Sequence, residues 1–313
     1  MAKFVVTGGA GFIGSHLVEH LINENHEVVV IDNFATGRRE NLQPFLSRIT
    51  LHEVDMRDGD RLKRLMEGTD YIFHQGALPS VPRSINNPLE NHEHNITTTL
   101  NILLAAKEAG VKRLIYAASS SAYGESEEPV KHEGLLPAPI SPYGVAKLTG
   151  ELYCRAFFES YGVETVSLRY FNVFGPRQNP HSPYTGVMAI FIPLMLQDRQ
   201  PTIYGDGTAT RDFTYVKNNV LANMLALTAE KAPGEIINIA TGSSQSILEI
   251  LDTINRLLGK NIKPIFAPPR AGDIKHSRAS IAKARTILNY EPSVSFEEGV
   301  AETIEWYRLE LGL

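Results

Sequence analysis

Residues 5–16 read VVTGGAGFIGSH: an apolar run, glycines at positions 8, 9, 11 and 14, and then a helix-period run. A strand that turns this tightly into a helix commits the chain to a crossover architecture. The helix must pack back on its sheet, and the next strand then runs parallel to the first. Glycine at these positions also lets the backbone approach a pyrophosphate, while the helix N-terminus offers unpaired N–H groups and a favourable dipole. The first two-thirds of the chain keeps this rhythm. Lys3–Thr7, Glu27–Asp32, 50–54, Tyr71–His74, 113–117 and 164–168 read as strands, and Phe12–Asn23, 58–66, 88–110 and Pro142–Tyr161 as helices. Short apolar strands separated by helices predict an α/β fold, a doubly wound parallel sheet covered on both faces.

From about Asn172 the rhythm breaks. Residues 172–185 and 205–211 are rich in turn formers, and shorter elements follow at 216–230, Ile236–Ile239, Ile247–Leu258, 263–266 and 296–310. At 313 residues the chain exceeds the usual single core. The expected division is 1–171 plus 213–240 for the sheet domain and 172–212 plus 241–313 for a smaller lobe, packed together because no Pro-rich or low-complexity linker separates them.

Composition serves mainly to exclude. Thirty basic against thirty-five acidic residues leave a net charge of −5, which argues against bulk binding of nucleic acid or an anionic membrane. The single cysteine, Cys154, excludes an intrachain disulfide framework. The opening MAKFVVTGG carries no secretory pattern and no apolar run reaches membrane-spanning length, so the expected location is cytoplasmic. His92-x-His94 has metal-like spacing, but a third ligand is not apparent and no metal is expected.

Three further patterns carry chemistry. Asp32 closes the second strand, where a carboxylate can accept from ribose hydroxyls; this favours NAD over its phosphorylated form, although Arg38 and Arg39 nearby weaken the inference. Tyr143 and Lys147 stand four apart at the start of a helix and share a face. An ammonium there is expected to favour the phenolate and make Tyr143 a general base toward a hydroxyl. Residues 116–124, YAASSSAYG, leave the fifth strand at the sheet edge where ligands sit in open α/β folds, and a serine there can share a hydrogen bond with the tyrosine and substrate.

TGGAGFIGSH, the acidic Asp32 followed by NFATGRRENL, and SSSAYG, YGVAK and RYFNVFGPRQ together resemble the extended short-chain dehydrogenase/reductase superfamily. Within it, the chain is similar over essentially its whole length to the UDP-sugar 4-epimerases. The resemblance implies an NAD-binding Rossmann-type sheet with a smaller α/β substrate-binding lobe. It implies that Tyr143 is the base, that Lys147 holds the nicotinamide ribose and that Ser119 bridges the tyrosine and the sugar O4, with Ser120 assisting. Gly8, Gly11, Phe12, Ile13, Asp32, Asn33, Gly37, Asp55, Met56, Gln75, Ala77 and Asn95 would join Tyr143 and Lys147 around NAD. Asn172, Arg211 and Arg270 would hold the nucleotide diphosphate, Asp273 the uridine ribose, and Tyr204 would lie near the base. The family pairs its subunits through two helices, which implies a homodimer through 88–110 and 142–161.

Within the family, sugar-nucleotide dehydratases need an Asp-Glu pair straight after the active-site Ser or Thr; here those positions hold Ser120 and Ser121. Reductases that exchange NADPH fit poorly with Asp32. A uronate 4-epimerase or decarboxylase would need a cation for the sugar carboxylate, and Arg83 keeps that branch open. Ser80 and Gln178 resemble the epimerases of N-acetylated sugars, and Ser277 falls where a tyrosine in some epimerases excludes the N-acetyl group. Turnover of UDP-GlcNAc/UDP-GalNAc beside UDP-Glc/UDP-Gal is therefore expected. A non-catalytic NAD-binding sensor is the reading from another class, and the intact Ser119, Tyr143 and Lys147 count against it. Two departures stand out. Gly76 replaces a usual alanine, and Lys217-Asn218-Asn219 replaces a common x-Asp-Val, losing a carboxylate expected to pack the lobes.

Overall fold

The computed structural model of the chain describes residues 1–126, 128–180, 186–269 and 276–313. Its first part runs β1 (Lys3–Thr7), α1 (Phe12–Asn23), β2 (Glu27–Asp32), β3 (Thr50–Glu53), α2 (Gly59–Leu65), β4 (Tyr71–His74), α3 (Val81–Asn86), α4 (Pro88–His92), α5 (Thr98–Ala109), β5 (Arg113–Ser119), β6 (Val130–Lys131), α6 (Pro142–Tyr161) and β7 (Thr165–Tyr170). The second part continues with β8 (Val173–Phe174), α7 (Val187–Leu196), β9 (Thr202–Tyr204), β10 (Thr210–Arg211), β11 (Thr214–Tyr215), α8 (Val216–Thr228), β12 (Ile236–Ile239) and β13 (Gln245–Ser246). It ends with α9 (Ile247–Leu258), β14 (Ile265–Ala267), β15 (His276–Ala279), α10 (Ala282–Leu288) and α11 (Phe296–Leu311).

Seven parallel strands form the central sheet in the order β12-β7-β5-β4-β1-β2-β3. The alternation of side chains along β1 explains the double winding. Val6 faces one core with Phe73 and Ile115, packed under Leu17 and Leu21 of α1 and Ala226 of α8. Val5 faces the opposite core with Ile72 and Leu114, packed under Ile102 of α5 and Phe157 of α6. With both faces covered, the strands read as unbroken apolar runs rather than alternating ones. A third core is built on Phe174, Phe191, Ile192, Tyr215, Ile254 and Ile304. Strand β10 pairs with β13 and β15, and β15 pairs in turn with β6.

Three local features differ from the expectations. The stretch 88–110 is not one uninterrupted α-helix: Glu93–Thr97 adopts a π-turn between α4 and α5. The insertion carries Asn95, which is buried with its amide bonded to the Leu78 N–H at 2.8 Å, the Leu78 carbonyl at 3.3 Å and Asn91 Oδ1 at 2.7 Å. Helix α7, VMAIFIPLML, was not expected; apolar almost throughout, it has no polar face from which to read a period. The lobe-packing carboxylate is not needed either. Asn218 accepts from the N–H groups of Ser293 (2.9 Å) and Val294 (3.0 Å) and donates to the Val294 carbonyl (2.8 Å), tying α8 to the segment before α11. A neutral amide does this without burying a charge.

Candidate active site

The C-terminal edge of the sheet is shaped first by the turn after β1. Helix α1 starts on Gly11 without a side-chain cap and without an acid in its first turn, which leaves its N-terminal N–H groups and dipole directed at an anion. Gly8 has φ +67°, and a Cβ there would stand 2.6 Å from Gly76 Cα, so the turns after β1 and β4 touch backbone to backbone. Gly8→Ala is therefore expected to cost at least about 2 kcal/mol, the left-handed conformation and the clash adding. A fall in Tm, with loss of NAD-induced stabilisation, is the check. At Gly76 a Cβ would meet the Met56 methyl, so the flexible methionine fills the space that the usual alanine would take.

Asp32 is buried, its carboxylate accepting from the Ala10 N–H at 2.9 Å and the Phe34 N–H at 2.8 Å. Burial pushes its pKa up against those two donors. Gly37 packs on Ala10 beside it, where a Cβ would come within 3.1 Å of Asp32 Oδ1. Both nearby arginines are engaged elsewhere, Arg38 with Glu310 at 2.9 Å and Arg39 with Glu53. Asn33 donates to Asp55 at 3.3 Å, and the Arg57 guanidinium, bonded to the same carboxylate, holds its pKa down to about 2. Phe12 and Ile13, the first residues of α1, pack toward the third core. Gln75 donates to the Tyr170 hydroxyl at 3.2 Å, and its side-chain oxygen is buried without a partner. Ala77 lies between Gly76 and Leu78, in the turn that Asn95 holds; in this structure the Asn95 amide spends itself on that turn.

Tyr143 and Lys147 lie on the first turns of α6, whose N-cap Ser141 accepts from the Gly144 N–H at 3.1 Å. Ser84 of α3 accepts from the Tyr143 N–H at 3.1 Å, and Ser80 caps that same α3. Ser119 ends β5 close enough to Tyr143 to oppose the rise of its phenol pKa. The neighbour that supports Ser119 is Ser121, through its N–H (3.2 Å) and hydroxyl (2.9 Å), and the structure gives Ser120 no such contact with it. Lys147 donates to the Ala117 carbonyl at 2.8 Å and sits 5.0 Å from the centre of the Tyr116 ring. The electrostatics correct the simple spacing argument. Burial pushes the Tyr143 phenol up to about 12, with Ser119 opposing. Burial likewise pulls the Lys147 ammonium down to about 8, with Glu151 opposing. In the chain by itself, desolvation is the largest cause of both shifts.

Arg211 of β10 and Ser277 of β15 are register partners. The residue that fixes them is Asp212, which the sequence reading missed. Fully buried, it accepts from the Thr241 N–H (2.9 Å) and hydroxyl (2.7 Å), the Gly242 N–H (3.0 Å) and the Ala279 N–H (3.3 Å). A carboxylate directly after Arg211 in a turn-rich stretch was the available signal. Asn172 donates to the Asp212 carbonyl at 2.9 Å, which joins the end of β7 to this cluster. Tyr204 ends β9, 44% exposed. The Gln178 amide reaches the Val173 carbonyl at 3.4 Å, and its backbone carbonyl accepts from Tyr307 at 2.7 Å. Arg270 and Asp273 lie outside the described residues. No helix among the described residues is long and apolar enough to cross a membrane.

Residues 4–240 match the model of the NAD dependent epimerase/dehydratase family. Among solved structures, the UDP-glucose 4-epimerase of Thermotoga maritima with UDP-glucose is 37% identical, with a TM-score of 0.94 and 99% of each chain covered. The UDP-N-acetylglucosamine 4-epimerase of Methanobrevibacter ruminantium, in complex with UDP-N-acetylmuramic acid, is 40% identical, with the same TM-score and coverage. The UDP-glucuronic acid 4-epimerase of Bacillus cereus with UDP-glucuronic acid and NAD is 37% identical, with a TM-score of 0.90, covering 98% of this chain and 99% of that one.

Proposed function

Since the chain belongs to the NAD-dependent epimerase/dehydratase family, we propose that it catalyses reversible 4-epimerisation of a UDP-hexose through a 4-keto intermediate. UDP-Glc/UDP-Gal and UDP-GlcNAc/UDP-GalNAc are the proposed pairs. The observation that carries this reading is the buried Lys147 one turn along α6 from Tyr143, with Ser119 at the end of β5 acting on that phenol and followed by serines at 120 and 121, which have no carboxyl to drive dehydration.

In this reading the turn of Gly8 and Gly11, with the first N–H groups of α1 at Phe12 and Ile13, holds the NAD pyrophosphate, and Asp32 the adenosine ribose. Bound NAD would supply the two-electron acceptor and donor that this redox-neutral reaction needs at C4. Tyr143 takes the O4 proton and later gives it back, Ser119 orients the hydroxyl, and the Lys147 ammonium stabilises the phenolate. Asn172 and Arg211 grip the nucleotide so that the sugar can turn; tight binding away from the reacting centre leaves the ketone free to present its second face. We assign 1–171 plus 213–240 to the NAD domain and the remainder to the substrate lobe. A homodimer through 88–110 and 142–161 would cover Leu89, Leu104, Val145 and Leu152, which are exposed here.

The uronate reading needs a cation for the sugar carboxylate. Arg83 already forms a two-point pair with Glu90, at 3.0 and 2.6 Å, which supports a neutral hexose instead. Incubation with UDP-GlcNAc, UDP-Glc and UDP-glucuronate, without added cofactor, separates these readings by proton NMR. Galacto epimers of the first two are expected; conversion of the uronate alone would overturn the assignment. Ser277→Tyr is expected to lower kcat/KM for UDP-GlcNAc by about tenfold or more while sparing UDP-Glc, as added bulk penalises only the larger substituent. Equal losses on both sugars would remove Ser277 from specificity.

A further inference from the structure

Helix α6 carries Tyr143, Lys147 and Glu151 at successive four-residue steps, which places them on one face. Glu151 is fully buried and gives both carboxylate oxygens to Arg169 of β7, at 2.8 Å from Nε and 2.6 Å from NH2. Arg169 is 2% exposed and lies 4.5 Å over the ring of Tyr123. A buried ion pair contributes little to stability, because desolvation of two charges offsets their attraction, so its place beside a reaction centre calls for another account. Lys147 is 4% exposed and its bonded partner is a carbonyl, which carries no charge. The titratable groups facing it are Tyr143, Glu151 and Cys154 on its own helix, Tyr116 from β5 and His74 from β4. Glu151 is the anion of that set.

We propose that the Glu151–Arg169 pair is a positioning element for the reaction: Glu151 keeps Lys147 in its ammonium form, and Arg169 holds the carboxylate away from direct contact with that ammonium. The proposal rests on the reading of Lys147 as the partner of Tyr143. A buried lysine without a nearby anion tends to neutralise, and a neutral amine would not stabilise a phenolate. A carboxylate free to swing would pair with Lys147 and draw it off the Ala117 carbonyl. Clamped at two points, Glu151 acts through its field alone. The arrangement also sets the charge of the region: Lys147 and Arg169 against Glu151 leave one net positive charge, which the Tyr143 phenolate would balance.

The test is the 13Cε NMR titration of Lys147 in the full chain, assigned by subtraction of the Lys147→Met spectrum, which needs no turnover. In the wild type the lysine should titrate at about 8. In Glu151→Gln, an isostere that can still accept from Arg169, the titration should fall by about one pH unit, and in Arg169→Met it should rise. Opposite movements are what a merely structural strut would not produce, since loosening α6 would shift both variants the same way. Should the single variants fail to fold, Glu151→Gln/Arg169→Met carries the test: Lys147 must still titrate below the wild type, because both charges are lost and Glu151 is the one that acts on Lys147. A Lys147 titration unchanged in the folded variants overturns the proposal. In turnover, kcat of Glu151→Gln should fall about fourfold more at pH 8.5 than at pH 7, with KM for the UDP-sugar preserved. A wild-type protein that turns over no nucleotide sugar would refute the epimerase reading while the titration still decides the role of the pair.

Discussion

Tyr143→Phe is expected to lower kcat for 4-epimerisation by about a thousandfold, the middle of the range for loss of a general acid–base group. Burial pushes the phenol up to about 12, with Ser119 at the end of β5 opposing. In the proposed reaction a phenol that resists ionisation this strongly needs a positive charge, the role proposed for Lys147. Phenylalanine keeps the ring in place, so Tm and NAD binding should stay close to wild type. Retention of more than a tenth of the wild-type kcat would remove Tyr143 from the proton transfer, and a parallel collapse of Tm would mean that the ring is needed for packing. Ser119→Ala should cost less, about ten- to a hundredfold, because Ser121 and water can still solvate the phenol.

Acid should destabilise the fold well before most carboxylates titrate. His74 is 1% exposed between Thr7 (2.7 Å) and Thr99 (3.0 Å), and burial, with the Lys147 charge second, lowers its pKa from 6.5 to about 3. His16, bonded to the Pro176 carbonyl at 2.9 Å, is lowered to about 4, again by burial first and then by Arg177. Above pH 6.5 these histidines are neutral in both states. Below it the unfolded chain takes up protons that the folded chain refuses, so stability falls as pH drops, by up to about 1.4 kcal/mol per pH unit for each histidine. Urea midpoints measured from pH 7.5 to pH 5 should show this slope, and His74→Gln should lose its half. Asp32 and Asp212, whose pKa values burial raises, contribute with the opposite sign, so the variant must be compared with wild type at each pH. An identical pH slope in the two proteins would show that His74 is not neutral in the fold.

Much of the first part could be read from the chain because its signals are local. Strands β1, β2 and β4 are buried on both faces and appear as apolar runs; α6 and α9 end on Gly162 and Gly259, both in the left-handed conformation. Helix α7 escaped because a segment apolar on every side has no period. In the candidate site, Tyr143, Lys147 and Asp32 stood out by spacing and by their place at strand and helix ends, whereas Ser119 was singled out among its serines only by the resemblance. Ser84, which accepts from the Tyr143 N–H, lies 59 residues before it, and nothing near it in the chain marks that role.

By itself, the sequence determined the crossover fold, the glycine turn between β1 and α1 and the common face of Tyr143 and Lys147. These depend on backbone conformation and helical spacing, which act over a few residues. Only the tertiary structure decided the electrostatics: that burial dominates the phenol and the ammonium, that Arg83 is spent on Glu90, that Asp212 ties Arg211 to Ser277, and that Glu151 meets Arg169 behind Lys147. The physical reason is that desolvation and charge pairing depend on which distant segments exclude water together. That is a property of the packed chain and of no stretch within it.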